Sequence, residues 1–116
     1  MSVEQMTLSL PAARKRGVMA AQAAADAADR RDPSWTASAY KAFVDYARVH
    51  PEQKFTTEDV RLAAQAFVTN PPDGRAWGAI AIRAKRDGIV RPCGYRCVAS
   101  SNNSPKVLWQ STTQPT

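Results

Sequence analysis

Apolar positions recur with a period near 3.6 through most of the chain and then switch to a period of two, which predicts helices followed by a hairpin. Trp35, Ala39, Ala42, Phe43, Tyr46 and Ala47 stand at offsets 0, 4, 7, 8, 11 and 12, one face of a helix. Asp32-Pro33 provides its start, with Asp32 as N-cap and Pro33 at the first helical position. Pro51 ends it near His50. Lys54-Phe55 predicts a strand of one or two residues. The next helix opens at Thr56, with Asp59 at N3 as an acidic capping box and Phe55 and Val60 as a hydrophobic staple. Its apolar stripe is Val60, Ala63, Ala64 and Phe67.

Thr69-Asn70-Pro71-Pro72-Asp73-Gly74 predicts a turn. A third helix begins at Asp73 or Gly74 and runs to Asp87, with Gly88 as its C′ residue. Trp77, Ile80, Ala81 and Ala84 repeat at offsets 0, 3, 4 and 7 and face the core. Arg75, Gly78, Ala79, Ile82, Arg83 and Arg86 lie opposite. Ile89-Val90 opens an extended segment. From Gly94 the chain alternates, with Tyr95, Cys97 and Ala99 on one face and Arg96 and Val98 on the other. Residues 100–105 form a polar tip and Lys106 to Gln110 the returning strand. The fold expected is mainly α with a small antiparallel β-hairpin, an α+β class.

The ends divide differently. Residues 1–17 show no sustained period and read as a flexible basic arm carrying Arg14, Lys15 and Arg16, a cluster that reads first as a solvated tail and second as a contact to a phosphate backbone. Residues 18–31 form an Ala-rich helix with little apolar bulk to bury, held by a shallow contact or used as a dimer seam. Residues 32–110 form the main domain and 111–116 a disordered tail.

Charge changes the picture most. From Gly74 onward there are seven cations (Arg75, Arg83, Lys85, Arg86, Arg91, Arg96, Lys106) and one acid, Asp87, so 7 − 1 = +6. The whole chain also carries +6, so the first 73 residues balance to zero. Cations gathered on one helix and one hairpin suit a polyanion. No run of apolar residues is long enough for a membrane helix, and in residues 1–17 the charges follow the short apolar stretch, the reverse of a secretory signal's order, so a cytoplasmic location is expected. Cys93 and Cys97 on one strand stand about 13 Å apart, too far for a disulfide. His50 is the only histidine, so no zinc set and no cofactor is expected. No Gly-rich phosphate loop or acidic cluster supports catalysis, and the chain reads as a non-enzyme.

The order helix, short strand, helix, turn, helix, hairpin resembles the winged helix-turn-helix family from Ser34 to Gln110, here with an extra N-terminal Ala-rich helix. The resemblance rests on R75-A-W-G-A-I-A-I-R-A-K-R-D-G-I-V90 and on G94-Y-R-C-V-A-S…P105-K-V-L-W109, and its compact form is similar to small phage- and prophage-encoded proteins. It implies that the third helix enters the major groove of double-stranded DNA and that the hairpin lies along the adjacent backbone. Carried onto this sequence, Arg75, Ala79, Ile82, Arg83 and Arg86 face the groove, where arginine reads guanine bidentately and Ala79 and Ile82 meet thymine methyls. Lys85, Arg91, Arg96, Asn102, Asn103 and Lys106 serve the backbone and wing.

Transcription regulation or phage-type replication and recombination, in a bacterial host cell or nucleoid, is the expected role. The core assignment of Trp35, Phe43, Phe55, Phe67 and Trp77 leaves no stacking platform for single strands. The alternative is a protein-interaction module whose basic face meets a host or phage protein. Because a single module binds DNA modestly, a monomer that dimerises weakly or only on DNA is expected.

Overall fold

The computed structural model describes residues 3–98 and 104–112. Four helices, α1 (Val3–Arg31), α2 (Trp35–Val49), α3 (Thr57–Ala64) and α4 (Ala76–Arg86), precede a hairpin of β1 (Val90–Val98) and β2 (Ser104–Ser111). The fold is thus mainly helical with a two-stranded antiparallel sheet. Phe55, between α2 and α3, adds an isolated antiparallel bridge to Trp109 with reciprocal backbone bonds of 2.9 and 2.7 Å. This bridge is the short strand expected at Lys54-Phe55.

The core gathers Trp35, Phe43, Phe55, Val60, Trp77, Ile80, Val90 and Trp109 with a set of alanines. Trp35 meets Trp77 edge-on at 5.5 Å between centroids, and Phe43 meets Phe55 at 5.8 Å. The Trp35 indole N–H donates to Thr69 O at 2.8 Å, which ties the start of α2 to the turn before α4.

Local signals explain several boundaries. Thr56 Oγ1 accepts from Asp59 N and Asp59 Oδ2 from Thr56 N, so the capping box is complete. Gly88 at φ +77 closes α4. Its N–H donates to Lys85 O and the Ile89 N–H to Ala84 O, the paired bonds of a Schellman motif. The first turn of α2 is capped from a distance: Asp29 of α1 accepts from Thr36 N at 2.9 Å and Thr36 Oγ1 at 2.6 Å. Asp32 caps the turn at Ser34, and α2 itself starts at Trp35, two residues after Pro33.

Four expectations are corrected. First, the segment read as a flexible arm is helical from Val3. Pro11 and the basic run interrupt the apolar period, but once the Ala-rich half is docked the helix propagates from it at low cost, although Pro11 has no N–H to donate. Second, the Ala face of α1 is not left for a dimer seam. Ala21, Ala24, Ala25 and Ala28 are buried and α1 packs chiefly against α4. Third, Phe67 is 81% exposed and Ala63 is exposed, while Val68 is buried. The helix stops after eight residues and the tight turn, with Phe67 N and Val68 N both bonded to Ala64 O at 2.9 Å, rotates Val68 inward in place of Phe67. Fourth, α4 begins at Ala76 and not at Asp73 or Gly74, because Asp73 accepts from Arg75 N to form a turn before it.

The hairpin is longer than its alternating segment. β1 begins at Val90, and its register slips between Pro92 and Tyr95, where Gly94 takes φ +127. Ser104 and Pro105, read as tip residues, pair with Val98 and Cys97. Ser111 is buried and Thr112 N donates to Ile89 O, so neither frays; residues 113–116 lie outside the described residues.

Candidate nucleic-acid interface

The candidate surface starts with the burial pattern of α4. Ala76, Trp77, Ile80, Ala81 and Ala84 are buried, which turns Ile82, Arg83, Lys85 and Arg86 outward. Ile82 is 38% exposed, an apolar residue between cations. Ala79 is partly buried and packs against the core, so it presents less of its methyl than the groove-facing role requires. Gly78 also leaves the outward set. A Cβ placed there would stand 3.6 Å from Ala21 Cβ, so the glycine eases the approach of α1.

Several cations already have partners. At the N-cap of α4, Arg75 grips Asp73 with Nε at 2.9 Å and Nη2 at 2.6 Å from Oδ2. The Arg75 hydrogen bonds hold the Asp73 carboxyl below its ordinary range, and the same contact holds the guanidinium above its own. Arg83 lies over the Tyr40 ring at 4.3 Å, with Nε 3.8 Å from Asp87 Oδ2. Tyr40 donates its hydroxyl to that same oxygen at 2.5 Å. Burial first, then the bond to Asp87, push the Tyr40 phenol up from its ordinary value. Arg83 is thereby fixed in direction on the edge of α4.

On the hairpin, Arg91 donates to Gln110 Oε1 at 3.0 Å, and Gln110 in turn donates to Glu52 O. Arg96 turns back onto the body: its Nη2 reaches Asp59 Oδ2 at 2.7 Å and Thr56 Oγ1 at 3.3 Å. The β1–β2 hairpin is therefore tethered to the start of α3 by one of the residues expected to contact DNA. Lys106 is exposed and pairs in register with Arg96. Asn102 and Asn103 lie outside the described residues. Among the described residues Lys85, Arg86, Arg91 and Lys106 have no acidic partner, so these four offer charge without first breaking an ion pair.

Two features escaped the sequence. Tyr95 is 72% exposed on β1, beside Arg96, and Phe67 is exposed in the turn after α3. Aromatic faces are therefore open to solvent, contrary to the expectation that the aromatic residues are spent on the core; alternation marked Tyr95 as one-sided without saying which side is wet. Cys93 carries a free thiol that donates to Leu108 O at 3.4 Å. Among the described residues no His, Cys, Asp and Glu cluster could hold a metal ion, and no helix is long and apolar enough to cross a membrane. No protein-family model matches the chain, and neither a curated protein nor a solved structure does.

Proposed function

We propose that the chain is a winged helix-turn-helix protein that binds duplex DNA, with α4 in the major groove and the β1–β2 hairpin along the flanking backbone. One observation carries the reading: the outward face of α4 and the hairpin hold the whole +6 of the chain, and Lys85, Arg86, Arg91 and Lys106 there lack acidic partners among the described residues. The Phe55–Trp109 bridge supports it, since it fixes the hairpin relative to α3 and α4. Arg86 and Ile82 are the groove residues, Arg83 a directed contact at the edge, and Lys85, Arg91 and Lys106 phosphate contacts. Transcriptional control or phage-type replication and recombination is the role this chemistry serves.

Fluorescence anisotropy with a labelled mixed-sequence duplex tests the proposal. Binding should weaken by roughly 10³-fold or more between 50 and 200 mM salt if six or so phosphates are engaged. Absence of binding at low salt rejects it. A second reading, a protein-interaction module, is favoured by Phe67 at 81% and Leu62 at 51% exposure, large apolar side chains that a DNA interface does not use. Recovery of a stoichiometric protein partner after nuclease treatment, without duplex binding, selects that reading.

A further inference from the structure

Gly78 lies where α1 packs against α4, with Ala21 Cβ 3.6 Å from the position of an added Cβ. At helical spacing the i−3, i+4 and i+7 neighbours of Gly78 are Arg75, Ile82 and Lys85, so α1 touches α4 on the flank of its basic face. Toward its N-terminus α1 then leaves the body. Nothing lies within 4 Å of a Cβ at Gly17, and Lys15, Arg16, Val18 and Met19 are exposed.

Lys15 and Arg16 precede Ala21 by six and five residues, roughly 8–9 Å along the axis. The helix is continuous through them, so they are held at a set distance from α4. Among the described residues neither has an acidic partner. A helix seated in a major groove about 12 Å wide is flanked by phosphate strands, and whatever lies against its flank faces one of those strands.

We infer that α1 forms a second backbone contact, in which Lys15 and Arg16 bind phosphates of the same duplex that α4 enters. This inference rests on the DNA-binding reading above. It enlarges the footprint beyond α4 and the wing and assigns α1 a binding role besides its packing. These contacts are to phosphate, so they add affinity without sequence preference.

The test compares the full chain with its Lys15→Ala/Arg16→Ala variant on duplexes of two unrelated sequences at 50–200 mM salt. The variant should show a log-affinity against log-salt slope shallower by about 2, and roughly tenfold or greater loss of affinity at 0.1 M salt on both sequences. Lys15→Arg/Arg16→Lys should retain both. Alanine suits an exposed helix, and an unchanged melting temperature checks folding; Lys15→Gln/Arg16→Gln provides an independent second variant. An unchanged slope and affinity overturns the inference, as does tighter binding, which would make α1 a shield over α4. Failure of the unsubstituted chain to bind any duplex would instead reject the DNA-binding reading.

Discussion

Arg96 on the hairpin and Asp59 at the start of α3 meet at 2.7 Å, and that one carboxylate also completes the capping box with Thr56. The hairpin and α3 therefore share an anchor. Asp59→Ala removes the reciprocal half of the capping box and the tether together, and leaves the bond from the residue-59 N–H to Thr56 Oγ1 in place. Loss of the bond from Thr56 N to the Asp59 carboxylate costs about 1 kcal/mol, and a partly exposed ion pair adds up to about 1 kcal/mol. Urea unfolding should show a loss of about 1–2 kcal/mol; a change below about 0.5 kcal/mol would contradict the shared role.

Gly78 has room for a methyl group, because 3.6 Å is ordinary contact with Ala21. Gly78→Ala should stabilise the protein by roughly 0.5–1 kcal/mol through helix propensity. Gly78→Leu should destabilise it by pushing α1 away. Denaturant midpoints for the two variants decide the matter, and a loss of stability in the alanine variant would show that the helices sit closer than described.

The two core tryptophans differ in their polar atoms. The Trp35 indole N–H reaches Thr69 O, whereas Trp77 Nε1 is buried with no hydrogen-bond partner among the described residues. Trp35→Phe leaves a carbonyl unpaired and should cost about 1–3 kcal/mol beyond the lost ring volume. Trp77→Phe removes an unsatisfied donor and should cost less. Equal losses would show that Trp77 Nε1 has a partner.

Stability at high pH follows Tyr40. Burial and the Asp87 bond raise its folded-state pKa above the ordinary 10.0. Tyr46 is raised too, by burial and then by Asp59. A raised pKa means that the folded state holds the proton more tightly. The stabilisation is complete below the unfolded value and is lost as pH climbs through the folded one. The melting temperature should fall as pH rises past 10, less so in Tyr40→Phe. A decline of equal size in that variant would remove Tyr40 from the account.

Sequence separation decided what could be read without the structure. The Thr56 cap and the Gly88 stop were legible because their partners lie within five residues, inside the reach of local rules. The basic face of α4 was legible because helical spacing alone separates it from Trp77, Ile80 and Ala84. Asp29 capping α2 and Arg96 anchoring to Asp59 were not, since each pairs residues brought together only by the fold. Phe67 was misplaced because the apolar period extends one turn beyond the point where α3 ends, and periodicity carries no stop signal there. The burial of α1 against α4 was hidden by its composition: alanines and a glycine bury little area each, but allow two backbones to come close.

The most direct test of the central claim is residue-resolved: amide chemical-shift changes in the labelled full chain as a mixed-sequence duplex is added at low salt. DNA binding through α4 and the hairpin predicts the largest changes at Ile82, Arg83, Lys85, Arg86, Arg91 and Lys106, relieved by added salt. No changes, or changes confined to the Leu62 to Val68 segment, would contradict it.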